Sequence, residues 1–375
     1  MSKLEERGPG RQSGAGEGPG FAPGAESEVD ELGYLSYRQL IWRRLRKNRM
    51  GIAAAMVLSS SYVIALCAGF FAPYHYSEIQ AGYRHVPPQE LHFSLEHGLH
   101  VYGLKAERAV RTRELMFSAD STEIFPLLFF VRDNRERLHL FSCDGPMFLL
   151  GTDRMGRDLL SRIIYGARVS LTIGLIGVFI SLSFGSILGT MSGYFGGGVD
   201  TLIQRSIEIL LAFPSIPLWM ALGAALPADW SSIGVYFGIT VILALVSWGG
   251  LARQVRGKVL ASRELDFVKA AQAAGASHWH IITRHLLPCS YSHIIVIATL
   301  AIPGMILGET ALSFLGLGIR PPMTSWGVLL EEAQRVTVLL HYPWLLLPAV
   351  PVLVVVIAFN FLGDALRDAT DPYAD

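Results

Sequence analysis

The amino-acid sequence predicts an all-α polytopic membrane protein, with six transmembrane helices and a small β-rich extracytoplasmic insertion. Three observations predict it. Six apolar segments, approximately Gly51–Ala72, Arg168–Ser192, Ile207–Leu226, Ile233–Leu251, Cys289–Gly308 and Trp344–Leu362, each approach the ~20 residues needed to cross a ~30 Å hydrocarbon core. Lysine and arginine gather in alternate connections between them. The one long connection, 73–150, changes from continuous apolar runs to short β-prone runs separated by polar turns.

Of the 375 residues, 51% are hydrophobic and 17% charged, a modest apolar excess over soluble domains, so distribution decides the class. Residues 1–33 are rich in Gly, Glu, Pro and Ser, read as a disordered cytoplasmic tail, and lack the apolar core of a cleaved signal peptide. Residues 34–72 combine an interfacial helix with the first span. Within Leu35–Arg49, apolar Ile41, Trp42 and Leu45 recur at helical spacing among six basic residues, the pattern of a helix lying on a membrane surface. In the insertion, the β-prone runs are Leu99–Leu104, Ile124–Val131, Leu138–Phe141 and Met147–Leu150, with turns at Asp133–Asn134 and Asp144–Gly145. The remainder, 151–375, holds five spans and a basic connection at 252–288. Cys67, Cys143 and Cys289 lie far apart and form no ligand motif.

Orientation follows from the basic residues. Arg38–Arg49 carries six, and so does the connection Ala252–Pro288, an even number of crossings away. Both are expected on the cytoplasmic side, with both termini, in the cell inner (plasma) membrane. Pro227–Ser232 carries no basic residue, and Ala311–Pro343 only Arg320 and Arg335. Arg154, Arg157 and Arg162, beside the second span, do not fit the rule.

The basic connection is the most informative stretch. Glu264 and Asp266 open a helix whose dipole favours acids there. Ala270, Ala273 and Ala274 give it a face poor in side chains. Gly275 suits a left-handed cap, and Ser277 a new N-cap, with a second helix ending at Pro288. This physics leaves two uses open: a tightly packed loop, or a surface another protein approaches closely.

Here a family resemblance emerges. Ala270-Ala271, three residues, Gly275, nine residues before His285, then Leu287-Pro288 is similar to the EAA loop of ABC-importer permeases, in which that loop seats in a cleft of the ATPase subunit. Lys269 stands in place of the glutamate and His285 in place of an apolar residue, as in the peptide/nickel branch. Gly151–Leu171, Gly193–Leu218, Glu309–Gly318 and Gly363–Pro372 resemble the C-type inner-membrane permease of dipeptide/oligopeptide/nickel importers, and the resemblance covers about 35–72 and 148–373. It implies half of a translocation pore, most readily for di- or oligopeptides, with nickel or another small solute as the alternative. It implies a homologous permease as heterodimer partner, two ATP-binding cassette ATPases and an extracytoplasmic solute-binding protein. The coupling residues it points to are Phe267, Lys269, Ala270, Ala271, Ala274, Gly275, His285, Leu287 and Pro288.

Gly185, Gly189 and Gly193 make two successive GxxxG spacings, serving close helix packing within the subunit in preference to a dimer interface. Pro214 and Pro217 should bend the third span, at a pore or inside the bundle. Glu208 and Glu309 end apolar runs, facing protein or water, or bonding locally. Gly316–Pro343 is too broken to span and fits a re-entrant segment. No phosphate loop, GxSxG elbow or HExxH helix occurs, so neither a catalytic role nor a cofactor is expected. His85, His92, His97 and His100 cluster without other ligands, so no metal site is expected. Zero net charge argues against nucleic acid. An ion-coupled carrier would need paired charges in mid-span, which these spans lack.

Overall fold

The computed structural model describes residues 37–108, 115–132 and 138–371. The expected tail at 1–33 and the turn at Asp133–Asn134 lie outside them. Five helices are long and apolar enough to cross a membrane, and a sixth segment is a bent pair.

Helix α1 (Tyr37–Lys47) is the amphipathic helix. Ile41 and Leu45 are half-buried, whereas Trp42 faces outward with the Arg46 guanidinium 5.1 Å above its ring. Arg44 donates to the Asp371 carbonyl and ties the start of the fold to its end. Asn48 caps α2 (Arg49–Leu66), accepting from the Gly51 amide at 2.9 Å. At its other end Arg168 donates to the Ala65 and Leu66 carbonyls, at 3.0 and 2.9 Å, satisfying acceptors the helix leaves open.

After the single turn α3 (Ala68–Phe71) comes the insertion. Strands β1 (His92–Ser94), β2 (Gly98–Arg108) and β3 (Leu115–Pro126) form one antiparallel sheet in sequence order, with a register shift at Tyr102/Gly103. Strands β4 (Leu128–Arg132) and β5 (Leu138–Ser142) form a second hairpin. The expected run at Met147–Leu150 is not a strand: Met147 and Phe148 are buried, Phe148 stacks on Tyr74 at 5.8 Å, and the Gln89 side chain accepts from its amide at 2.5 Å. It is apolar because it anchors the insertion.

Helix α4 (Leu159–Phe195) starts nine residues before the expected second span and ends three beyond it. At 1.5 Å per residue it reaches ~55 Å, well past a hydrocarbon core. Helices α5 (Gly197–Ala212) and α6 (Ser215–Ala224) meet at 85°. The break falls at Phe213–Pro214, where Pro214 was expected to bend the third span. Proline cannot supply the amide that would continue the helix. Helix α7 (Ser232–Ser262) continues through Arg253, Arg256 and Lys258, which were expected in a loop.

Helix α10 (Leu287–Phe314) packs on α4 and on α13 (Ala349–Thr370). Leu171, Ile173, Ile239, Leu243 and Ile306, all fully buried, form the centre of the core. The segment expected to be re-entrant is a chain of short helices, including α11 (Trp326–Glu331) and α12 (Val336–His341). Fully buried Trp326 donates from its ring to the Ile163 carbonyl at 3.0 Å.

Candidate coupling site

At the end of the bundle away from the sheets, α7 leads into a hairpin built from α8 (Asp266–Ala273) and α9 (His278–Ile281). Gly275 joins them with φ +77°. Its amide donates to Gln272 at 3.0 Å and the Ala276 amide to Ala271 at 3.0 Å. These are the paired bonds of a Schellman ending, in which glycine takes the left-handed position at least cost. Ser277 then caps α9, accepting from the His280 amide at 3.2 Å.

The second helix does not stop at Pro288. A π-turn at Ile282–Leu286 carries it into α10, and Pro288 lies in the first turn of that helix, the helical position that best tolerates proline. The hairpin and the crossing therefore share one axis, giving a mechanical link that a broken loop would lack.

A small core holds the hairpin to the bundle. Val268, Ile281, Ile282 and Leu286 are buried against Val255 and Val259 of α7 and Tyr194 of α4. Burying side chains of this size is worth about 1.5–3 kcal/mol each. The Tyr194 hydroxyl lies 2.8 Å from His278 Nδ1, and Arg263 donates to the Gly193 carbonyl at 3.1 Å. Below it, Arg256 donates twice to Asp200 at 2.6 Å, and Ser192 bonds to the same carboxylate.

Opposite that core, the hairpin is open. Ala270, Ala274, Gly275 and Pro288 are exposed, as is Lys269, which pairs with Glu264 at 3.4 Å. Ala271 turns inward and packs on the small core with Leu287, so the two alanines of the motif face different ways. Phe267 and His285 lie 6.1 Å apart, and His285 lies 5.8 Å from His280. Sequence reasoning missed Leu265 and Trp279, exposed at 47% and 63%. An aromatic side chain set between two histidines in a polar hairpin was the available signal for Trp279.

Gly185, Gly189 and Gly193 all face α7. A methyl at Gly185 would lie 2.9 Å from Leu251 Cβ, one at Gly193 3.0 Å from the Arg256 carbonyl oxygen, and one at Gly189 would overlap the Ala252 carbonyl. The seam is internal to the chain. Glu208 is exposed and pairs with Arg205 at 2.6 Å, whereas Glu309 is fully buried and accepts from Ser170, Ser313 and Ser325 at 3.1, 2.7 and 2.6 Å. Those serines come from three elements, joining α4, α10 and the cap of α11.

At the sheet end, Arg157 and Arg162 meet Asp153 and Glu332. Arg157 bonds Asp153 at 2.6 Å and Glu332 at 3.1 Å, and Arg162 bonds Glu332 at 3.1 Å and also Asp153. Two of the three arginines that defied the charge rule, Arg157 and Arg162, are thus neutralised inside the protein. Among the described residues no three His, Cys, Asp or Glu side chains are placed to hold a metal ion; His85 instead stacks on Tyr342 at 4.0 Å.

The family model of the binding-protein-dependent transport system inner membrane component matches residues 185–374, and that of the N-terminal TM domain of oligopeptide transport permease C matches 36–88. The chain is 43% identical over 224 residues to the oligopeptide transport system permease protein OppC of Haemophilus influenzae, covering 59% of this chain and 69% of that one. It is 32% identical over 338 residues to the dipeptide transport system permease protein DppC of Bacillus subtilis, covering 90% and 86%. Among solved structures, a chain of an amino acid ABC transporter crystallised with histidines has a TM-score of 0.41 at 15% identity, covering 55% of this chain and 92% of that one.

Proposed function

The chain belongs to the family of binding-protein-dependent transport system inner membrane components, and from that premise we propose that it forms half of the translocation pore of an ATP-driven importer of di- or oligopeptides. The peptide substrate is supported by relatives named as oligopeptide and dipeptide permeases. The other half of the pore is a homologous permease. Two ATPase subunits dock on the cytoplasmic hairpin, and a solute-binding protein delivers peptide on the opposite side, where the sheets lie. Both termini are cytoplasmic.

One observation carries the coupling role. The hairpin exposes small and apolar residues on one side, Ala270, Ala274, Gly275, Phe267 and Trp279, while its other side is locked to α4 and α7. A monomeric surface leaves such a patch uncovered only where a partner covers it. Small residues let that partner's backbone approach, and Phe267 and Trp279 are the aromatic anchors interfaces favour. Movement of the docked ATPase would pass along the axis shared by α9, the π-turn and α10.

The test is uptake of trialanine into proteoliposomes holding both permeases and both ATPases. Uptake is expected to require ATP on the hairpin side and the binding protein on the other. Uptake driven by an ion gradient without ATP would overturn the proposal.

A further inference from the structure

The coupling site leaves a cavity at the sheet end of the bundle unexplained. Its volume is about 570 Å³, within the ~300–1,000 Å³ of small-molecule sites. Its walls come from the connection before α4, the first turns of α4, and the segment 321–345 that holds α11 and α12.

The charges in it fall into two groups. Arg157 and Arg162 are held by Glu332 and by buried Asp153, so they form a fixed, internally neutralised wall. Arg154, Arg335 and Glu331 line the same cavity and are exposed, and their side chains make no hydrogen bond or ion pair among the described residues. An apolar solute has no use for three free charges. A simple anion would be repelled by Glu331, and a cation by the two arginines. Free charges of both signs facing one space suit a ligand carrying both.

We propose that this cavity receives the charged ends of a short peptide, its α-carboxylate on Arg154 and Arg335 and its α-ammonium on Glu331. A guanidinium matches a carboxylate with two parallel hydrogen bonds, and a carboxylate accepts from an ammonium. The inference rests on the peptide assignment above and adds a residence for the peptide on this chain.

The assay is uptake by the complete importer with its binding protein, comparing trialanine with trialanine amide and with N-acetyl-trialanine. Selection by the binding protein is common to every permease variant and cancels in the comparison. Arg154→Gln with Arg335→Gln is expected to lower the trialanine-to-amide uptake ratio about tenfold, the worth of a lost charge-assisted contact. Glu331→Gln should lower the trialanine-to-acetyl ratio and leave the first ratio unchanged. All three side chains are exposed, and ATP hydrolysis without binding protein reports that each variant assembles. Unchanged ratios overturn the proposal. An equal loss for all three peptides, with loss of stimulation by the binding protein, also overturns it and assigns the charges to docking. Absence of peptide uptake by the unmodified importer would overturn the peptide assignment itself, a result distinct from both.

Discussion

Asp158 caps α4 through one carboxylate oxygen, with Oδ2 2.7 Å from the Ser161 amide, while Oδ1 is buried without a partner among the described residues. Burial pushes its carboxyl up to about 7 from an ordinary value near 3.8, the Ser161 hydrogen bonds oppose this, and the nearby Asp153 charge adds to it. The folded protein therefore keeps a proton that the unfolded chain gives up. Stability from this group is fully present below about pH 4 and is lost as pH rises through about 7. Asp158→Asn keeps the cap and removes the titration. Thermal unfolding in detergent should show the variant equal to the unmodified protein at low pH and more stable at pH 8; parallel curves would contradict it. Single residues were legible where the backbone decides. Gly275 and Ser277 announce a turn and a cap by residue type alone, whereas the roles of Glu309, Arg157 and Arg162 depend also on partners as far as 139 to 175 positions away.

Elements were legible where one apolar run makes one helix. The five long helices match expected spans. Those after the first run past the apolar stretch at one end or both, because polar turns at the rim cost nothing outside lipid, whereas α2 stops at Leu66, short of the expected Ala72. In the third span Pro214 marks the position of the bend in the sequence, but composition does not give its angle of 85°. The stop at Pro288 failed because proline in a first turn does not end a helix. The glycine seam between α4 and α7 makes the sharpest prediction at this scale. Gly189→Leu must push the two helices apart against the Ala252 carbonyl, and overpacking of this kind costs about 1–3 kcal/mol or more. Unfolding of the purified subunit should move to lower temperature by several degrees. Gly304→Ala, with open space around its Cβ, should not move it.

At the scale of the molecule, the sheets and the hairpin lie at opposite ends of a bundle of membrane length. Cysteines placed at exposed Ser121 and exposed Ala274, in a chain stripped of Cys67, Cys143 and Cys289, should label from opposite faces of sealed vesicles. Labelling from one face would contradict the orientation. The central claim is that the hairpin transmits ATPase movement to the pore, and Gly275 tests it most directly. Its surroundings are empty, so Gly275→Asp leaves the bundle intact. The left-handed φ costs a side chain about 1–2 kcal/mol, and the new carboxylate projects into the open face beside Ala274. The measurement is ATPase co-purification together with peptide uptake by the reconstituted importer, with Gly250→Ala as control. Loss of both in Gly275→Asp, with the control unaffected and the variant normally inserted, is the predicted result; full co-purification with undiminished uptake would contradict the account.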